Sequence, residues 1–208
     1  MARTSLICEQ SPAVPAINRE MVWKQVHAIL EETGDSPPQM APEDADYIDM
    51  LIEAAVSRLD GHNGLLNRAL ITQQWRMTFD RFDSEIRIPL GRCQSVDEIS
   101  YVQKSGDSAT MDPANYRVRN IGSDNARVLP AVGQSWPDTI ADPEAVTVTF
   151  TAGFGDAPED IPGSIRLALL EMVALAYAYR ESAAIGGSFS VLPFSATRAV
   201  SDWVIWSP

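Results

Sequence analysis

Apolar residues recur at helical spacing from Ile17 onward, at Met21, Val22, Val26, Ile29 and Leu30, with Asn18 placed to cap the first turn. The spacing predicts a helix over about 17–32. Residues 1–16 show no period, carry Pro12 and Pro15, and read as a loose leader. Gly34, Pro37, Pro38 and Pro42 break the pattern, because proline lacks the helical donor and pushes its predecessor toward extended geometry. A second stripe of Tyr47, Ile48, Leu51, Ile52, Ala55, Val56 and Leu59 predicts a helix over about 43–61, stopped by Gly61. Beyond Leu70 the alternation becomes twofold. Strands are expected at about 70–80, 85–90 and 95–104, then in NYRVRN and ARVLPA, and most clearly in AVTVTFTA. IRLALLEMVALAYAYRE reads as a helix within about 160–182, entered through Pro162, and a short helix is expected near 195–203. Helices flanking an antiparallel region at about 70–152 make the fold α+β, with one domain over 17–184 carrying that β-rich insertion and a C-terminal arm over 185–208.

Composition narrows the chemistry. The chain has 208 residues, 45% of them hydrophobic, and 28 acidic against 16 basic side chains give a net charge of -12. That is enough apolar material for a core, while the negative balance opposes tight binding to phosphate backbones. Two cysteines, Cys8 and Cys93, and two histidines, His27 and His62, cannot make a disulfide framework or an ordinary Cys/His zinc site. No apolar stretch has signal-peptide or membrane-spanning length, so a soluble protein of a reducing compartment, with no membrane partner, is expected. The interval from Lys24 to Arg58 holds Glu31, Glu32, Asp35, Glu43, Asp44, Asp46, Asp49 and Glu53 and no lysine or arginine between them. These acids suit a solvated face and the positive end of a helix dipole, or a functional acidic surface.

Catalysis has little to work with. His27 falls one turn after Trp23 and reads as a boundary residue; His62 follows Gly61 at a helix end, where it suits the dipole. GFGDAP at 153–158 joins a strand to a helix but has proline where a dinucleotide fingerprint has its third glycine, so it reads as a tight turn. Asp80 with Asp83, and Asp44 with Asp46, are carboxylate pairs in polar surroundings. Arg68, Arg76, Arg81, Arg87 and Arg92 recur through the first strands beside Asp80, Asp83 and Glu85. Ordinary surface ion pairing is the simpler reading, and a protein or local DNA contact the other. No catalytic residue, cofactor site or metal site is assigned. The helix over 160–182 is apolar nearly all round, with Glu171 its one ionisable group between Arg166 and Arg180. Its own core on one side and another subunit on the other would cover it, through Leu169, Glu171, Met172, Leu175 and Tyr179, with an arginine opposite Glu171. An assembly subunit is favoured over an enzyme.

The segments DADYIDMLIEAAVSRLD, RALITQQWRMTFD, IRIPLGRCQSVDEISYV, DPANYRV, AVTVTFTAGFGDAPEDIP, IRLALLEMVALAYAYRES and VLPFSATRAV, in this order over about 14–206, resemble the head-tail connector (adaptor) family of tailed phages and phage-derived gene transfer particles. The linker around Pro37 to Pro42 and the tail beyond Val200 depart from the family pattern. The resemblance implies a non-catalytic ring, usually of twelve copies, in the particle neck. It would contact the portal protein above and the next neck or tail-completion protein below, and pass double-stranded DNA without binding it specifically. Part of the acidic segment from Glu31 to Glu53 is expected to face the channel of such a ring, with Glu31, Glu32, Asp35, Glu43, Asp44, Asp46 and Asp49 as the candidates. The arm, hinged at Gly186 and Gly187, would dock on the portal through Phe189, Leu192, Phe194, Trp203, Ile205 and Trp206; the alternative is that the tail folds back over its own helices. A tail-completion or stopper protein is the nearest competing reading, and a small hydrolase the competitor from another class.

Overall fold

The computed structural model describes residues 3–29, 40–179 and 194–205. In chain order the elements are β1 (Arg3–Gln10), α1 (Arg19–Ile29), α2 (Pro42–Leu59), β2 (Gln73–Phe79), β3 (Ile86–Arg87), β4 (Cys93–Val102), β5 (Ser108–Thr110), β6 (Tyr116–Arg119), β7 (Arg127–Pro130), β8 (Val146–Ala152), α3 (Gly163–Ala178) and α4 (Phe194–Val200). The α+β class follows: helices form one layer, and two antiparallel sheets, ordered β1-β2-β8-β4-β5 and β3-β7-β6, form the rest.

The local causes are legible. Asn18 Oδ1 accepts the amide of Met21 at 2.9 Å and caps α1. Pro42 opens α2, whose buried side, Ile48, Ile52, Ala55 and Leu59, keeps the helical period, and Gly61 (φ +75°) follows its end. In β8 every second residue, Val146, Val148, Phe150 and Ala152, is buried, and it pairs without a bulge with β2 from Gln73↔Ala152 to Phe79↔Val146. At the exit of β8, Gly153 (φ +147°) brings its backbone so near Thr72 that a Cβ would lie 2.7 Å from Thr72 Cα, so a side chain is excluded twice over.

Two hydrophobic cores result. One lies among the helices and joins Ile17, Val22, Val26, Ile48, Leu59 and most of the buried face of α3. The other fills the space between the sheets, around Met77, Phe79, Ile86, Ile99, Val128 and Phe150. Truncating Phe150, fully buried in the second, is worth about 3–5 kcal/mol.

Three expectations are corrected. Residues 3–10 are not a loose leader: they form the edge strand β1, paired with β2 through contacts such as Leu6↔Met77 and Cys8↔Trp75. The strand expected at 85–90 shrinks to Ile86–Arg87, and β5 forms where a turn alone was expected. The third concerns α3. Leu169 and Met172, assigned to an intersubunit face, are buried inside their own chain, because α1, α2 and α4 all pack against this helix. Three intrachain neighbours cover most of this apolar circumference. Leu167 and Tyr179 are its exposed large apolar side chains, and Leu175 is half-buried.

Candidate functional site

No histidine, cysteine and carboxylate cluster able to hold a metal occurs among the described residues, and no described helix is long and apolar enough to cross a membrane. His62 Nδ1 lies 2.9 Å from Asn67 Oδ1, and His27 stands edge-on to Trp23 at 4.5 Å between ring centroids. Cys93 is buried, which pushes its thiol up to about 12. The polar features that stand out are a joint built on Arg68, the acidic side of α2 and an arginine-bearing face of the small sheet.

The joint is built on Arg68, which follows α2 and carries a side chain only 5% exposed. Its guanidinium donates to both carboxylate oxygens of Asp124, in the β6–β7 connection, and its Nε donates to the carbonyl of Trp203, beyond α4. The same guanidinium lies 6.0 Å from the Phe154 ring centroid and 5.7 Å from that of Trp203. Trp203 Nε1 donates to Ser164 Oγ at 2.9 Å, and the Ile205 amide donates to the Leu66 carbonyl at 3.1 Å. One side chain thus ties the helical layer, the small sheet and the C-terminal segment together. Surface ion pairing describes Arg76 with Glu9 and Arg87 with Glu85, but not Arg68.

This geometry corrects the arm. Over 194–205 the tail folds onto its own domain: Ala196 and Val200 enter the helical core, while Trp203 and Ile205 are half-buried. The side chain of Phe194, and Phe189, Leu192 and Trp206 entirely, lie outside what is described. Glu171 accepts a hydrogen bond from Ser195 Oγ at 2.8 Å, so a hydroxyl of α4 stands where an arginine was expected; Arg180 lies outside the described residues.

The acidic candidates divide. Glu31, Glu32 and Asp35 lie outside the described residues. Asp44 accepts from Tyr177 Oη at 2.7 Å, and Asp49 pairs with Arg19, whose guanidinium holds that carboxyl below the usual range. Glu43, Asp46 and Glu53 remain exposed on the same side of α2. A groove of about 510 Å³ runs beside this helix, lined by Pro12, Pro15, Ile17, Ile52, Val56 and Ile71. Asp60 lines it too; burial raises its carboxyl above the usual range against the opposing effect of hydrogen bonds from Leu70 N and Gln73 Nε2.

Solved structures share this arrangement almost end to end. A chain in the virion of a native gene transfer agent (GTA) particle superposes with TM-score 0.66 and 21% identity, over 98% of this chain and 96% of its own. A chain in the neck of an empty GTA particle, computed with C6 symmetry, gives 0.64 and 21% over 98% and 97%. A third, in the neck of a native GTA particle computed with C12 symmetry, gives 0.61 and 18% over 97% of each chain. The fold is that of these particle chains. No family model matches the sequence, and no curated protein matches it either.

The second surface joins Arg87, already singled out in the sequence, to three arginines that were not, Arg117, Arg119 and Arg127. Arg87, Arg127 and Arg119 sit side by side across β3, β7 and β6, and Arg117 lies two residues along β6 on the same face. The signal was present in the alternation of YRVR, whose polar positions share one side of a strand.

Proposed function

We propose that this chain is a structural subunit of the neck of a phage-like particle, the adaptor that forms a ring beneath the portal and continues the DNA channel toward the tail. The end-to-end likeness to GTA neck and virion chains carries this reading, because it takes in both sheets and the helical layer rather than one shared module. Two of those neck assemblies were computed with sixfold and twelvefold symmetry, which supports self-association into a ring. The partners are further copies of the chain, the portal protein, the next neck or tail-completion protein, and double-stranded DNA in transit. A net charge of -12 suits a part that lets DNA slide instead of gripping it. The role proposed is scaffolding.

Deleting the coding gene in a particle-producing host tests the proposal. Heads without attached tails are expected, restored by supplying the chain in trans. Complete tailed particles assembled without it would overturn the reading.

A further inference from the structure

The outer face of the small sheet is costly to build. Register pairs Arg87 with Arg127 and Arg127 with Arg119, and like charges directly opposite one another destabilise a sheet. The adjacent row, Ile86, Val128 and Val118, points inward to the core, which fixes the arginines on the outside. Glu85 accepts from Arg87 Nε at 2.9 Å and from Arg127 Nη1 at 3.0 Å and offsets part of the repulsion. Arg117 and Arg119 have no salt bridge among the described residues, and Arg117 Nε is buried with no hydrogen-bond acceptor there. In a chain of net charge -12, a face with four arginines and one glutamate is an exception that the sheet's own stability does not explain.

We propose that this arginine face is one half of a head-to-tail contact between copies of the chain, and that its occupant is the acidic side of α2 on a neighbouring copy. The proposal rests on the ring reading above. A closed ring needs two different, mutually complementary patches on each chain. The second patch is present: Glu43, Asp46 and Glu53 project from the exposed side of α2, around exposed Met50 and opposite the buried Ile48 and Ile52. Dimensions agree as well. The acids extend over about 15 Å of helix at 1.5 Å per residue. Three strands at about 4.8 Å spacing set the arginine row over about 10 Å, with Arg117 about 7 Å further along β6. DNA is the poorer occupant, because Glu85 sits within the row and the chain as a whole, at a net charge of -12, repels phosphates.

Sedimentation velocity of the full chain at low salt reads the contact. Wild type is expected to associate with rising concentration, and 0.5 M salt to suppress it. R117E/R119E, and separately E43K/E53K, are each expected to weaken association about tenfold, since each reversal turns an attraction into a repulsion. Mixing the two variants pairs the reversed faces and is expected to restore heterotypic association. All four positions are exposed or half-buried surface sites, and circular dichroism confirms that each variant folds. Separately, Arg119→Lys permits zero-length carbodiimide coupling, and its cross-linked peptide is expected to contain residues 43–53. A monomer at all concentrations, failure of the mixed variants to associate, or a cross-link to another segment overturns the proposal. So does a labelled DNA duplex bound by wild type and lost in R117E/R119E with self-association unchanged. The gene-deletion result is independent of these, so loss of tails alongside failed charge swaps would sink the contact and leave the neck role standing.

Discussion

Replacing Arg68 by methionine keeps the stem and removes the charge that joins three parts of the molecule. Hydrogen bonds to charged groups contribute about 1.5–3 kcal/mol, and breaking a fully buried ion pair costs about 3–5 kcal/mol. Asp124 is 45% exposed and rehydrates when abandoned, so the pair contributes about 2 kcal/mol, below the fully buried range. The half-buried carbonyl of Trp203 adds about 1 kcal/mol for its lost donor. The sum is about 3 kcal/mol, which in a chain of this length lowers Tm by about 6–12 °C. Asp124→Asn, which keeps one acceptor at a partly exposed site, is expected to cost about 1 kcal/mol. Guanidinium unfolding followed by tryptophan fluorescence gives the stability. Trypsin cleavage after the exposed Arg198 reports release of the tail and is expected to accelerate in R68M. A loss below 1 kcal/mol with cleavage unchanged would refute the reasoning, because Arg68 would then hold nothing together.

A Cβ at Gly91 would lie 2.5 Å from Ile205 Cδ1 and 2.8 Å from both Arg68 Nη1 and Asp124 Oδ1, so Gly91→Ala is expected to destabilise by about 1–3 kcal/mol and to free the tail in the same proteolysis assay. Carboxyl NMR titration is expected to place Asp60 above and Asp49 below the ordinary aspartate range. The signs are opposite: ionised Asp60 costs stability that returns as pH falls through its raised value and is fully regained below its ordinary one, whereas Asp49 stabilises above its ordinary value and loses that contribution as pH falls through its lowered one. Iodoacetamide at pH 8 is expected to modify half-exposed Cys8 in the native protein and Cys93 only after unfolding, as read by peptide mass; native labelling of Cys93 would contradict its burial.

What could be read in the sequence was what depends on neighbours along the chain. Asn18 caps α1 and Pro42 opens α2 through local geometry, and the alternation of β8 reflects a face buried along its whole length. What could not be read depends on distant partners. β1 is a strand because the free edge of β2 lies beside it, with Leu6 opposite Met77, and nothing within residues 1–16 announces that edge. The circumference of α3 told that it is covered, but periodicity cannot tell a neighbouring subunit from α4 of the same chain. Arg68 belonged to a run of similar arginines, and its partners stand 56 and 135 residues away. Of the tail aromatics Trp203 alone has a described side chain, and it is half-buried; that it meets Ser164 and Phe154 of its own domain is a tertiary fact.

The central claim is that this chain builds a neck ring. Cryo-electron microscopy of particles from cells in which the chain carries a small N-terminal tag, decorated with a tag-binding antibody fragment, tests it most directly. Additional density in a closed ring between the head and the tail, repeated six or twelve times, is the expected result. Decoration along the head shell or the tail tube, or particles without the tagged chain, would contradict it.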